Sequence, residues 1–120
     1  MGVINHNAVL ATTWSETLAD ELQAWVDQLS EGEQNLFVRS SPVTNGYHSF
    51  ALMPDGSKEG WEESDSGDLL RQRFIDRLSE DQYDDASSPW DWVEVGFGEY
   101  GQKVLKGNCK NRYTDAEYAE

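Results

Sequence analysis

The 120-residue sequence predicts an α+β domain in which two helices cover one face of an antiparallel sheet. Runs of β-branched and aromatic residues at 7–14, 35–40, 47–53 and 92–97 read as strands, and helical periodicity at 16–29 and 65–78 falls between them. Their order is β-α-β-β-α-β, the split βαβ or ferredoxin-like arrangement. Five Trp, five Tyr and four Phe supply a core that the 38% hydrophobic fraction would otherwise leave thin, because each aromatic buries on the order of 150–250 Å². The length corresponds to a single domain, read as residues 1–106, with 107–120 as a frayed, polar C-terminal tail.

Asn7–Trp14 has a continuous apolar centre at Ala8–Ala11, which suggests a strand buried on both faces. Thr13 and Glu16 have capping-box spacing, and Ser15 competes as N-cap, ahead of Leu18, Leu22, Trp25, Val26 and Leu29 at helical intervals. Ser30-Glu31-Gly32 is expected to end that helix. Asn35–Ser40 and Tyr47–Met53 are expected to pair as strands across a turn containing Asn45-Gly46. A second turn at Pro54–Ser57 leads to a possible short return strand at Lys58–Trp61. Ser64, Asp65 or Ser66 then caps a helix with Leu70, Phe74 and Leu78 inward and Arg71, Arg73 and Arg77 toward water or acids. Asp81–Pro89 reads as a loop. From Trp92 to Phe97 the alternation assigns Val93, Val95 and Phe97 to the core face and leaves Trp92 and Glu94 on the other. Gly98–Gly101 turns the chain into a short strand at Gln102–Leu105.

Charge is the most informative property. Asp and Glu number 23 against 9 Lys and Arg, a formal net charge of -14, and the stretch 61–90 holds the greatest excess. So much like charge repels itself within a compact fold, which suggests that it meets something positive. A nucleic-acid binder would need a basic stripe for phosphate contacts, and none is visible, so direct nucleic-acid binding is not expected. No apolar run reaches the roughly 18 residues of a membrane span, and the N-terminus lacks the pattern of a secretion signal. A soluble, cytoplasmic protein is expected. Met1-Gly2 does not fit a myristoylation signal, which would place Ser or Thr where His6 stands.

Sequence motifs point away from catalysis. His6 and His48 lie in no metal-binding or nucleophile context, and Cys109, the single cysteine, sits in a polar stretch far from either. With Gly67 placed at the invariant glycine of a calcium loop, Arg73 falls where a bidentate Glu is required, so that pattern fails. No metal and no cofactor are expected.

From Asn45 to Asp68, and again from Trp90 to Tyr100, the chain resembles small uncharacterised acidic proteins of tailed phages and prophages. With the N-terminal His-Asn-Ala-Val-Leu segment, the resemblance covers most of the chain. It implies an accessory gene product acting inside a bacterial cell, and it carries no catalytic or binding residues with it.

Together these readings lead to a non-catalytic acidic protein that inhibits or masks a basic, nucleic-acid-handling protein, as a DNA mimic or an immunity-type inhibitor. The candidate partner-binding residues are Glu62, Glu63, Asp65, Asp68, Asp76, Glu80, Asp81, Asp84, Asp85, Trp90, Trp92 and Glu94. Acidity that serves only solubility is the competing explanation. A small-molecule or nucleotide-binding domain, or a small enzyme, would instead use Arg39, Tyr47 and His48 around a pocket. A phage assembly component is the third alternative.

Overall fold

The computed structural model describes residues 4–56 and 62–109, without the side chains of residues 62–64. Within them the chain forms β1 (Asn5–Thr13), α1 (Glu16–Asp27), α2 (Glu31–Gln34), β2 (Phe37–Ser40), β3 (His48–Leu52), α3 (Glu62–Ser79), β4 (Trp90–Gly98) and β5 (Gly101–Gly107). The five strands make one sheet in the order β2-β3-β1-β4-β5, every neighbouring pair antiparallel. The fold is therefore α+β, as expected. It carries a fifth strand and a third, short helix beyond the β-α-β-β-α-β element order. The expected return strand at Lys58–Trp61 lies outside the described residues.

Pairing fixes which side chains share a face, because residues opposite one another in the sheet point the same way. Val9 lies opposite Leu52 and Glu94, Ala11 opposite Phe50 and Trp92, and Thr13 opposite His48 and Trp90. This face receives both long helices: Ala19 and Leu22 of α1 and Leu70, Phe74, Ile75 and Leu78 of α3 close over Val9, Ala11, Phe50, Leu52 and Trp90. An aromatic group ties three elements together, with Phe37 of β2 edge-on to both Trp25 of α1 and Phe74 of α3, whose rings stack on each other at 6.2 Å.

The alternation in β4 is real but its phase is the reverse of that expected. Trp90, Trp92 and Glu94 face the helices, whereas Val93, Val95 and Phe97 face away. Two equally regular sets of side chains alternate here, and the larger tryptophans fill the space under the helices. Burial of β1 on both faces is found only at its centre, where Ala8 and Val9 are both buried, and is lost at Leu10, half exposed between buried Val9 and Ala11. Trp14, aromatic and next to the strand, is also largely exposed.

Local signals explain the ends of elements, with some corrections. Ser15 is the N-cap of α1, its hydroxyl accepting from the Leu18 N–H at 3.2 Å, while the Thr13 hydroxyl donates to the Pro89 carbonyl. Helix α1 stops at Gln28, and Ser30 begins a new helix instead of ending the old one. Its side chain accepts from the Glu33 N–H, and the Glu33 carboxylate accepts from the Ser30 N–H, a complete capping box. Helix α3 starts at Glu62, so Ser64, Asp65 and Ser66 are helical residues and not its cap. Asn45 and Gly46 do adopt left-handed conformations (φ 59° and 71°), but inside a seven-residue connection between β2 and β3 and not as a two-residue hairpin. Gly98 ends β4 at the β4–β5 turn with φ 149°, where a Cβ would stand 2.7 Å from the Ile4 carbonyl oxygen. Strand β5 continues through Gly107, and the Asn108 side chain anchors the chain beyond it by donating to the Trp90 carbonyl at 2.7 Å and accepting from the Trp92 N–H.

Candidate functional site

Helix periodicity places the polar faces of α1 and α3 away from the sheet, and both faces are acidic. Asp20, Glu21 and Asp27 are exposed on α1, Glu31 on α2, and Asp65, Asp68 and Asp76 on α3. Exposed Glu80, Asp84 and Asp85 continue the series into the loop before β4. Glu62 and Glu63 belong to the first turn of α3, and their side chains lie outside the described set.

Cations in this layer are held by carboxylates of the same chain. Arg39 pairs with Asp20 at 3.0 Å, Arg73 with Glu33 at 2.9 Å and Arg77 with Asp81 at 3.3 Å. Arg71 bridges Asp68 and Glu94, and Lys106 lies 3.7 Å from Glu94 while donating to Gln72 of α3. These pairs tie helices to one another and to the sheet, and the acids beyond them keep the outer surface negative. Glu33 is held below the usual carboxylate range, first by the Ser30 N–H and then by the Ser30 hydroxyl and Arg73, against opposing desolvation. Asp85 is lowered by the hydroxyl and N–H of Ser87.

The twelve residues expected at a partner surface do not form one surface. Trp90 is completely buried, its indole N–H donating to Asp81 at 2.9 Å. Asp81 spends its other oxygen on Arg77 and is itself mostly enclosed. Glu94 is buried between Arg71 and Lys106, with Asn7 Nδ2 at 3.5 Å, and Trp92 packs against the core. These four hold the fold together. Exposed acids of α3 and of the following loop remain available, and the acids of α1 and α2 join them, which residue-by-residue reading of 61–90 overlooked. The signal lay in the amphipathic pattern of residues 16–29, where Glu16, Asp20, Glu21 and Asp27 occupy polar positions and no basic residue does.

Arg39 and His48, sequence-distant candidates for ligand binding, are brought together: Arg39 Nη2 lies 3.3 Å from His48 Nδ1. Their register explains it, since Arg39 pairs with Phe50 and the two side chains occupy the helix-facing side of adjacent strands. His48 is buried and lines an open depression of about 730 Å³ with Trp14, Ser15, Glu16, Thr17, Pro42 and Tyr83. Tyr47 is exposed next to it in sequence and is not among the lining residues. The guanidinium of Arg39 is already engaged by Asp20, His48 and the face of Phe50, so it is not free for an anion.

Among the described residues no group of three or more His, Cys, Asp or Glu could hold a metal ion, and no helix is long and apolar enough to cross a membrane. Cys109 is exposed and unpaired as a disulfide. Comparison with protein families, curated proteins and solved structures finds no match.

Proposed function

We infer that this is a non-catalytic acidic binding protein whose helix layer occupies a cation-rich surface on a nucleic-acid-handling protein. The observation that carries the reading is the segregation of charge. Exposed carboxylates crowd the helix side, Arg39, Arg71, Arg73, Arg77 and Lys106 beside them are held in intramolecular pairs, and the opposite sheet face carries only Asp91 among the acids of its described strand residues. A carboxylate-studded ridge competes for the Lys and Arg that otherwise hold phosphates, and its field accelerates encounter. The resemblance to acidic proteins of tailed phages and prophages implies an accessory product acting inside a bacterial cell, which agrees with interference with another protein in the cytoplasm. Within the sheet, the β2-β3-β1-β4 portion reads as a ferredoxin-like core to which β5 has been added at the edge.

The test is affinity capture from bacterial lysate on the immobilised protein, followed by elution with duplex DNA. A basic nucleic-acid-binding protein released by DNA and by moderate salt supports the reading. Capture that is indifferent to DNA, or lost to neither salt nor the substitutions Asp65→Lys, Asp76→Lys and Glu80→Lys together, overturns it.

A second reading, a small-molecule site, rests on the 730 Å³ depression beside the His48 ring, a volume within the range of roughly 300–1,000 Å³ typical of ligand pockets. It requires a ligand that raises the melting temperature of the wild type and not of His48→Phe.

A further inference from the structure

Whereas the helix side is acidic, the described strand residues on the far side of the sheet include few charged and many apolar side chains. Its apolar residues are Leu10 of β1, Val93, Val95 and Phe97 of β4, Ala51 of β3, Val38 of β2 and Val104 of β5, with Ala8 buried among them, and its polar ones include Thr12 and Ser49, whose hydroxyls bond to each other at 2.8 Å, with Ser40 and Gln102 toward the edges. Leu10, Val38, Phe97 and Val104 are each more than two-fifths exposed. Isolated exposed apolar residues are ordinary, but a contiguous sheet face of them marks an interface. No helix covers this face among the described residues, since both long helices close over the opposite one.

We propose that this face is the contact between two copies of the chain, packed sheet to sheet about a two-fold axis. Three observations select a second copy. First, a chain of net charge -14 repels itself wherever its acids face each other, and among the described strand residues this is the face on which Asp91 is the one acid. Second, the face is self-complementary. Its described strand residues include two titratable side chains, His6 and Asp91, which lie at opposite ends: His6 is opposite Phe97 in the β1–β4 register and Asp91 opposite Thr12. A two-fold axis in the interface plane, running across the strands, lays β1 and β4 on their copies in reversed direction. Asp91 then lies by the end that carries the partner's His6, and the reciprocal pair forms at the other end, as an isologous contact requires. Third, five strands about 4.8 Å apart and about seven residues long present on the order of 500 Å² per copy. The pair therefore buries about 1,000 Å², the lower limit for a specific interface, so a concentration-dependent dimer is expected. The helix layers end up on the two outer sides, leaving each acidic surface accessible. This assembly does not depend on what those surfaces bind.

Sedimentation velocity of the full chain over about 1–500 µM tests it. The expected result is a monomer–dimer equilibrium that tightens as salt rises from about 0.05 to 0.5 M, because screening relieves repulsion between the two acidic bodies while apolar contact persists. Leu10→Lys, at a half-exposed position, is expected to weaken dimerisation at least tenfold without lowering the melting temperature. His6→Asp and Asp91→Lys each weaken it severalfold, and the double variant restores it, a rescue that only this pairing across the axis produces. A monomer throughout the range, a dimer unaffected by Leu10→Lys, or a double variant no better than the single ones overturns the proposal.

Discussion

The indole N–H of Trp90 donates to Oδ2 of Asp81 at 2.9 Å, joining the first residue of β4 to the turn that follows α3. Arg77 holds the other carboxylate oxygen at 3.3 Å, so a single acid orients the largest buried side chain of the core and the last turn of the helix above it. Trp90→Phe removes the donor and part of the volume and is expected to cost roughly 2–3 kcal/mol, and Trp90→Ala about 3–5 kcal/mol. Urea unfolding measures both. A loss below about 1 kcal/mol for the alanine variant would show that this tryptophan is not part of the core.

Glu94 is a buried carboxylate with a mostly buried cation on one side, Arg71 at 3.3 Å, and a half-exposed one on the other, Lys106 at 3.7 Å. Arg71→Ala strands the carboxylate and is expected to cost about 3 kcal/mol, whereas Lys106→Ala costs less than about 1 kcal/mol. Replacing both members of the buried pair, Arg71→Met with Glu94→Leu, should recover most of the loss, because no buried charge is then left without a partner and the charges that lose one, Asp68 and Lys106, are solvent-exposed. A double variant as unstable as Arg71→Ala would contradict this account.

Self-repulsion of the acidic layer has a separate signature. Added salt screens exposed charges within about a Debye length, so stability should rise by roughly 1 kcal/mol between low salt and about 0.5 M sodium chloride. The triple reversal at Asp65, Asp76 and Glu80 should shrink that rise. Urea midpoints at the two salt concentrations, for wild type and variant, decide the matter, and equal salt slopes would count against it.

The Ser30–Glu33 capping box makes a pH prediction. Glu33 has a folded-state pKa below its unfolded value, chiefly through the Ser30 N–H. Its contribution to stability is therefore complete above the unfolded value and is lost as pH falls through the folded one. Glu33→Gln keeps an acceptor for the same N–H but does not titrate. It should be slightly less stable than wild type near neutral pH and should approach it in acid. Denaturation followed from about pH 7 to pH 3 tests this, and parallel profiles would refute it.

Residue chemistry alone determined much of this protein. The period-3.6 pattern located both long helices and alternation located β4, because each reports one face buried against another, whereas β1 was read from its apolar run, β2 and β3 from short β-branched and aromatic runs, and the fully exposed β5 from the glycine turn before it. The Ser15 cap and the β2–β3 pairing were legible for the same local reasons, and the net charge was read directly. Tertiary structure decided what local pattern leaves symmetrical. In β4 both alternating sets, Trp90-Trp92-Glu94 and Val93-Val95-Phe97, were plausible core faces, and only the register with β1 under the two helices chose between them. Glu94 and Asp81 looked like surface acids because burial of a carboxylate depends on cations that folding brings from elsewhere, here Arg71, Lys106 and Arg77. The meeting of Arg39 with His48, and the division of the described residues into an acidic helix side and a sheet face with few charges, likewise exist only once strands pair, since each depends on which way side chains point and not on their order in the chain.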